Sequence, residues 1–226
     1  MQMSETRRWR FKGPEMEGPV ARWYARVRGS KSQLDAYREQ ARRLTEGLPA
    51  GARVLEVAPG PGYLAIEMAR GGGFHVTGLD ISRTFVEIAN ENARKAGVAV
   101  EFRQGDVARI PFAGESFDLV VCQAAFKNFT LPHSALAEIH RVLRVGGRAV
   151  IQDMSSEASH ADIEHEVRKM QLGWLSSFAT KATLEMLRRR AYSPARFHRL
   201  AAESDFKTCE ITKSGIGLDV RLQKAI

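Results

Sequence analysis

From Arg53 onward, short and nearly continuous apolar runs alternate with amphipathic stretches. The runs at 53–57, 74–79, 99–103, 117–123 and 147–153 are rich in Val, Leu, Ile and Phe and are bounded by Gly, Pro or charged residues, which predicts strands. Between them, 63–70, 82–96 and 132–145 carry apolar positions at helical spacing. Leu64, Ala65, Ile66, Met68 and Ala69 form the inward face of the first helix. Phe85, Ile88, Ala89, Asn92 and Ala96 form that of the second, with Gly97 as its stop. In the third, Pro132 follows Thr130 or Leu131 as a first-turn residue, Leu136, Ile139 and Leu143 face inward, and Gly146-Gly147 ends the helix. Such alternation predicts an α/β fold: a doubly wound, mostly parallel sheet with helices on both faces.

The flanks read differently. Pro14, Gly18 and Pro19 interrupt any single helix near the start. Val20 to Arg28 predicts a short helix carrying Trp23 and Tyr24. Ser30 or Ser32 then caps a helix with Leu34, Tyr37, Ala41, Leu44 and Leu48 on one stripe. After Asp153 a helix is expected from His160 to Phe178. Gly173, Trp174, Leu175, Phe178, Met186 and Leu187 form an apolar insert suited to an aromatic or acyl ligand, a dimer contact or plain core. Ser193 and Pro194 open a last helix with Phe197, Leu200 and Ala201, and 206–212 and 217–223 read as a closing antiparallel pair. The organisation is one globular unit: an arm and cover helices over 1–50, then a main domain over 51–226 with a helical insert at about 156–192.

The chain has 226 residues, enough for a sizeable core, with 44% hydrophobic and 27% charged residues, as a soluble domain has. Two cysteines, Cys122 and Cys209, both in predicted strands, suggest neither a disulfide framework nor a cysteine zinc site. With no apolar leader and no run of transmembrane length, a cytoplasmic location is expected. His160 and His165 are five apart and do not stack as an i, i+4 pair, so no metal is expected. The net charge of +8 is uneven. Residues 1–53 carry 12 basic against 6 acidic side chains, 54–180 carry 12 against 15, and 181–226 carry 10 against 5. Basic flanks, with Arg7-Arg8-Trp9-Arg10-Phe11-Lys12 and Arg188-Arg189-Arg190, attract an anion or nucleic acid or simply solvate the surface.

The chemistry concentrates where strands end. After 53–57, Ala58-Pro59-Gly60-Pro61-Gly62 makes a small-residue turn into a helix, a place where a polar ligand meets backbone N–H groups. Asp80 ends the next strand 18 residues beyond Gly62, near the offset of a carboxylate that grips ribose hydroxyls. Asp106 follows the third strand, where an acid can accept from an adenine amino group.

These residues resemble the class I S-adenosylmethionine-dependent methyltransferases. The likeness runs through Glu56-Val57-Ala58-Pro59-Gly60-Pro61-Gly62, Gly78-Leu79-Asp80-Ile81-Ser82, Gln104-Gly105-Asp106-Val107, Ser116-Phe117-Asp118-Leu119 and Leu143-Arg144-Val145-Gly146-Gly147, covering about residues 50 to 155. Ala58 replaces the family's usual Gly, and Val145 a frequent Pro. The resemblance implies a Rossmann-like, seven-stranded sheet whose last hairpin inserts one antiparallel strand. It implies that Glu56, Ala58, Gly60 and Gly62 cradle the cofactor's methionine portion, and that Asp80 holds the ribose. Ile81 packs the adenine, Asp106 and Val107 fix its edge, and Gln123 lies near the sulfur. The product would be S-adenosylhomocysteine.

Phe126-Lys127-Asn128-Phe129, in the loop that follows 117–123, is locally similar to the ubiquinone/menaquinone C-methyltransferases and their small-molecule relatives, and no Asn/Asp-Pro-Pro-Tyr/Phe sequence is present there. The implied acceptor is a small organic molecule, aromatic or acyl, methylated by direct in-line displacement. An RNA methyltransferase and a non-catalytic S-adenosylmethionine-binding protein are the alternatives. No catalytic residue is singled out. The candidates are His133, Asn128 and Tyr24, with His140 ranked last because its helix position faces outward.

Overall fold

The computed structural model describes residues 16–170 and 173–225, so the basic and aromatic arm around Trp9 and Phe11 lies outside the described residues. Two helices, α1 (Gly18–Arg28) and α2 (Lys31–Thr45), lead into β1 (Arg53–Val57), α3 (Tyr63–Arg70), β2 (His75–Asp80), α4 (Arg83–Ala96) and β3 (Val100–Gln104). The chain then crosses to β4 (Phe117–Gln123), α5 (Pro132–Val142) and β5 (Leu143–Met154). Next come α6 (His160–Lys169), α7 (Trp174–Arg188), α8 (Pro194–Glu203), β6 (Glu210–Ser214) and β7 (Gly217–Gln223). Single turns of 3-10 helix stand at Val107–Arg109 and Phe126–Asn128.

The sheet order is β3-β2-β1-β4-β5-β7-β6, with β7 antiparallel to both its neighbours and the other pairings parallel. The order reverses between β1 and β4. There the connections leave in opposite directions and open a crevice beyond the strand ends.

Strand alternation sorts the core into two layers. Val54 packs with α2, α3 and α4 through Leu44, Leu64, Met68 and Ala89. Leu55 and Val57 point the other way, to Leu136 and Ile139 of α5 and Phe197 and Leu200 of α8. Being covered on both faces, Leu119-Val120-Val121-Cys122 of β4 is buried at every position. Each such large apolar side chain contributes roughly 1.5–3 kcal/mol.

Three boundaries and one cap differ from the sequence expectation. The helix expected at 132–145 ends at Val142, and Leu143 already pairs with Phe117 as the first residue of β5. Leucine fits the helical stripe and the strand equally well, and pairing with β4 decides it. The helix expected from His160 to Phe178 is two helices, with Met170 as the C-cap of one and Gly173 as the N-cap of the next. The first hairpin strand begins at Glu210, leaving Cys209 just outside it, because Phe206 is buried by the core beside α8 instead of extending. Ser30 is the N-cap residue of α2, but its side chain makes no capping bond.

Candidate functional site

A cavity of about 520 Å³ lies beyond the carboxyl ends of β1, β2, β3 and β4. Its floor is built from Ala58, Gly60, Asp80, Ile81, Asp106, Val107 and Gln123, and its other walls come from α1, the loop after β4, and α7. Seven of the nine residues expected to hold the cofactor thus converge on one wall. Glu56 and Gly62 stand behind it.

The two glycines have separate duties. Gly60 has φ +54, and no atom lies within 4 Å of where a Cβ would stand, so its backbone is bare toward the cavity. Gly62 has φ +79 and is the N-cap of α3. A Cβ there would come within 2.6 Å of Phe102 Cζ and 2.9 Å of Ala89 Cβ, so Gly62 lets α3 close on the strand and helix behind. Ala58, in the same turn, holds φ 54 without being glycine, and its N–H donates to Leu79 O at 2.7 Å. That bond joins the β1 and β2 ends.

Asp80 ties the turn after β1 to the start of α4. Its Oδ2 accepts from Gly60 N at 2.9 Å and its Oδ1 from Ser82 N at 2.9 Å. Burial raises its pKa to about 6 despite those two bonds, and the charge of Glu17 adds to the rise. Glu56, only 2% exposed, is raised to about 8, again chiefly by burial. It accepts from Ala65 N–H, and its Oε2 has no hydrogen-bond partner. A proton or a ligand's ammonium satisfies an orphaned buried carboxylate oxygen. Asp106 Oδ1 caps the short helical turn through Ala108 N at 2.9 Å. A turn with bare backbone, three successive acids and the apolar Ile81 and Val107 suit the charge, ribose and flat base of the expected cofactor.

Gln123 is oriented from behind. Its Nε2 donates to Gln40 Oε1 at 2.8 Å, Gln40 Nε2 donates to Gln152 Oε1, and Gln152 Nε2 donates to Asp219 Oδ2 at 2.8 Å. This line of amides ties α2, β4, β5 and β7 together.

The cover over the site is latched by Glu17. Its Oε1 accepts from Arg83 N at 2.9 Å and its Oε2 from Thr84 N at 3.0 Å and from the Thr84 hydroxyl, so one carboxylate satisfies the start of α4. Burial works to raise its pKa, but the bonds from Thr84, Ser82 and Arg83 leave it lowered. Ser82 Oγ donates to Met16 O at 2.7 Å and Gly18 N to Thr84 Oγ1 at 3.0 Å. The latch sets Val20, Trp23 and Tyr24 over the cavity.

The candidate catalytic residues separate. Tyr24 and Asn128 line the cavity, and Tyr24 meets Phe85 edge-on at 5.9 Å. His133 is exposed, does not line the cavity, and its Nε2 is 3.7 Å from Glu203 Oε2. His140 does not face outward as expected. It is half-buried and edge-on to Phe206 at 4.9 Å, and burial, with Lys224 adding, lowers its pKa. Among the described residues no cluster of His, Cys, Asp and Glu is suited to a metal ion. Sequence reasoning missed Glu17, Gln40, Gln152 and the Lys127–Asp153 pair. Only Lys127 carried a signal, as a single cation directly after the apolar Ala124-Ala125-Phe126.

A family model described as a methyltransferase domain matches residues 48–204. A demethylmenaquinone methyltransferase from Deinococcus radiodurans is 37% identical over 108 residues, covering 47% of this chain and 45% of that protein. The 27-O-demethylrifamycin SV methyltransferase of Amycolatopsis mediterranei is 35% identical over 133 residues, covering 57% and 49%. The chain therefore spans about half the length of these curated relatives. A methyltransferase structure from Aquifex aeolicus superposes with a TM-score of 0.67 at 17% identity, covering 90% of this chain and 98% of that one, a likeness of fold alone.

Proposed function

This chain belongs to the class I S-adenosylmethionine-dependent methyltransferase family, and from that premise we propose that it moves a methyl group from S-adenosylmethionine to a small organic acceptor by direct in-line displacement. The observation that carries the reading is the two-sided cavity. One side presents Gly60, Asp80 and Asp106, and the other presents Trp23, Phe129, Leu131, Met186 and Leu187.

When bound, the sulfonium supplies an intrinsically electrophilic methyl group. The chain's own residues have three tasks. Asp80 accepts from the ribose hydroxyls while keeping its backbone bonds to Gly60 and Ser82. Glu56, in β1 with its carboxylate on the first turn of α3, balances the methionine ammonium, and Ile81, Val107 and Asp106 seat the base. Gln123, held by Gln40, orients groups near the sulfur. The apolar side excludes water and aligns the acceptor, and alignment alone can remove several kcal/mol from a barrier, on the order of 7 or more in favourable cases. Tyr24 and Asn128 line this side and are the groups available to hold an acceptor hydroxyl or take its proton.

The related proteins are named for a menaquinone precursor and a rifamycin, both small organic molecules, which supports the acceptor class and leaves the atom methylated open. Three carboxylates and one cation on the cavity wall do not suit a polyanion, so RNA is the less favoured acceptor. No helix among the described residues is long and apolar enough to cross a membrane. A cytoplasmic location is part of the proposal, supported by Cys122 and Cys209, both free thiols.

Calorimetric titration with S-adenosylmethionine and S-adenosylhomocysteine, on wild type and Asp80→Ala, tests the assignment. Binding to wild type that the variant loses is the expected result. Wild type that binds neither compound rejects it.

A further inference from the structure

Arg188, Arg189 and Arg190 are consecutive, yet the fold gives them three different surroundings. Arg188 is engaged: its Nη1 donates to Ala158 O at 2.9 Å and its Nη2 pairs with Glu185 Oε2 at 2.9 Å. Arg189 is exposed. Arg190 is half-buried and lines the cavity. Among the described residues its guanidinium has no carboxylate or carbonyl partner, and it is the one cation on the cavity wall.

Its position is fixed from below. Arg190 N donates to Leu187 O at 3.0 Å. The next two residues, Ala191 and Tyr192, are buried. Tyr192 bridges to Ser155 beside β5, and its carbonyl accepts from Ser156 N at 3.1 Å. The guanidinium is therefore carried on an anchored turn.

The other charges on the wall are carboxylates with donors of their own. Asp80 is bonded to Gly60 and Ser82, Glu17 to Arg83 and Thr84, and Asp106 to Ala108. None lies within ion-pair distance of Arg190. A partly desolvated arginine fork with five donors and no acceptor is a ready receptor for a planar anion, which it grips by two parallel bonds. Leu187 and Met186 belong to the same wall and supply apolar surface beside it.

We infer that Arg190 is an acceptor-recognition residue and that the acceptor joins an apolar body, aromatic or acyl, to a single carboxylate. One guanidinium matches one negative charge. A phosphate carries more charge than this wall balances, and a cationic acceptor is repelled. The inference rests on the methyltransferase reading for the word acceptor, but not for the anion site itself.

The probes are 1-naphthoate and its uncharged isostere 1-naphthamide, titrated by fluorescence into the full chain with and without saturating S-adenosylhomocysteine. Wild type, Arg190→Gln and Arg189→Gln are compared. Wild type binds naphthoate about tenfold more tightly than naphthamide, the size of one charge-assisted contact. Arg190→Gln loses that preference, Arg189→Gln keeps it, and neither substitution changes S-adenosylhomocysteine affinity. Failure of wild type to bind naphthoate or to prefer it, or a preference that survives in Arg190→Gln, overturns the inference. So does a loss of S-adenosylhomocysteine affinity in Arg190→Gln, which would make the arginine a cofactor ligand. If wild type binds naphthoate selectively through Arg190 but never binds S-adenosylhomocysteine, the anion site stands and the methyltransferase reading fails.

Discussion

Lys127 Nζ lies 2.8 Å from Asp153 Oδ1, and both residues are buried, at 4% and 7% exposure. The pair sits behind the loop that brings Ala124, Asn128 and Phe129 to the cavity. Asp153 Oδ2 also accepts from Lys127 N at 2.8 Å and Oδ1 from Met154 N at 2.7 Å, and Lys127 Nζ reaches Ala124 O at 2.5 Å. One ion pair thus fixes both the side chain and the backbone of the loop against the end of β5. It helps hold Ala124 at φ 55, a left-handed conformation that alanine does not choose by itself.

Removing one partner leaves the other charge buried and alone. Lys127→Met is expected to destabilise the fold by about 3–5 kcal/mol, the usual cost of halving a buried pair. Asp153→Asn removes the charge and keeps one acceptor oxygen, enough for one of the two backbone N–H groups. The double variant Lys127→Met/Asp153→Asn should therefore be more stable than Lys127→Met alone. Urea unfolding of the three proteins checks this order, and a double variant no better than Lys127→Met would show that charge is not the issue.

The same pair marks where the sequence stops being legible. Strand positions could be read best in β4, where Leu119-Val120-Val121-Cys122 runs without a polar break, and only a sheet covered on both faces asks for that. Asp80 could be read because its offset from the glycine turn is set by one helix and one strand. The pairing of Lys127 could not, since Asp153 is 26 residues away in sequence and nothing beside the lone cation announces that partner. Glu17 acts at Arg83 and Thr84, some 66 residues on, for the same reason. Arg190 differs from Arg188 only through Ala158 and Glu185, which the fold brings to one and not the other. Leu143 shows the limit of periodicity, because a buried leucine satisfies a helix and a strand alike.

Gly60 and Gly62 look equivalent in sequence but should respond oppositely to alanine. Gly62→Ala forces a methyl into Phe102 and Ala89 at a left-handed position, and overpacking of that kind adds about 1–3 kcal/mol to the backbone penalty. Gly60→Ala meets open space, so its stability loss should stay near the backbone penalty of about 1–2 kcal/mol. Gly60 lines the cavity where the cofactor is proposed to bind, so S-adenosylhomocysteine affinity should fall by roughly tenfold or more, about 1.4 kcal/mol. Thermal unfolding and titration, run side by side, separate the two effects. Equal loss of affinity per unit of stability in both variants would contradict the division of roles.

Glu17→Ala should loosen the cover without unfolding the domain. The carboxylate satisfies the first N–H groups of α4, and loss of such a cap costs roughly 0.5–2 kcal/mol. Because the same group ties down the chain entering α1, the loss concentrates there. Hydrogen exchange of 18–28 should accelerate while β1 and β4 stay protected. Uniform acceleration throughout the sheet would mean that Glu17 supports the whole fold and is not a latch.

Asp80 and Glu56 give the protein an unusual pH response. Their ordinary values are 3.8 and 4.5, and burial raises them to about 6 and about 8. Between those limits the folded chain holds protons that the unfolded chain has released. The stability these groups lend is therefore fully present below the unfolded values and is lost as pH rises, first through about 6 and then through about 8. Glu56→Gln should flatten the upper part of that loss, and Asp80→Asn the lower part, in urea unfolding followed across pH. Binding of S-adenosylmethionine runs against this trend. In the proposed placement, an ammonium near Glu56 and a ribose at Asp80 both favour the ionised carboxylates, so binding should expel protons and affinity should climb from about pH 6 to about pH 8. Calorimetry in two buffers of different ionisation enthalpy reads the proton release directly. The release should shrink in Glu56→Gln. A wild type that binds without releasing protons would mean that these carboxylates are already charged in the free protein, and that burial does not control them.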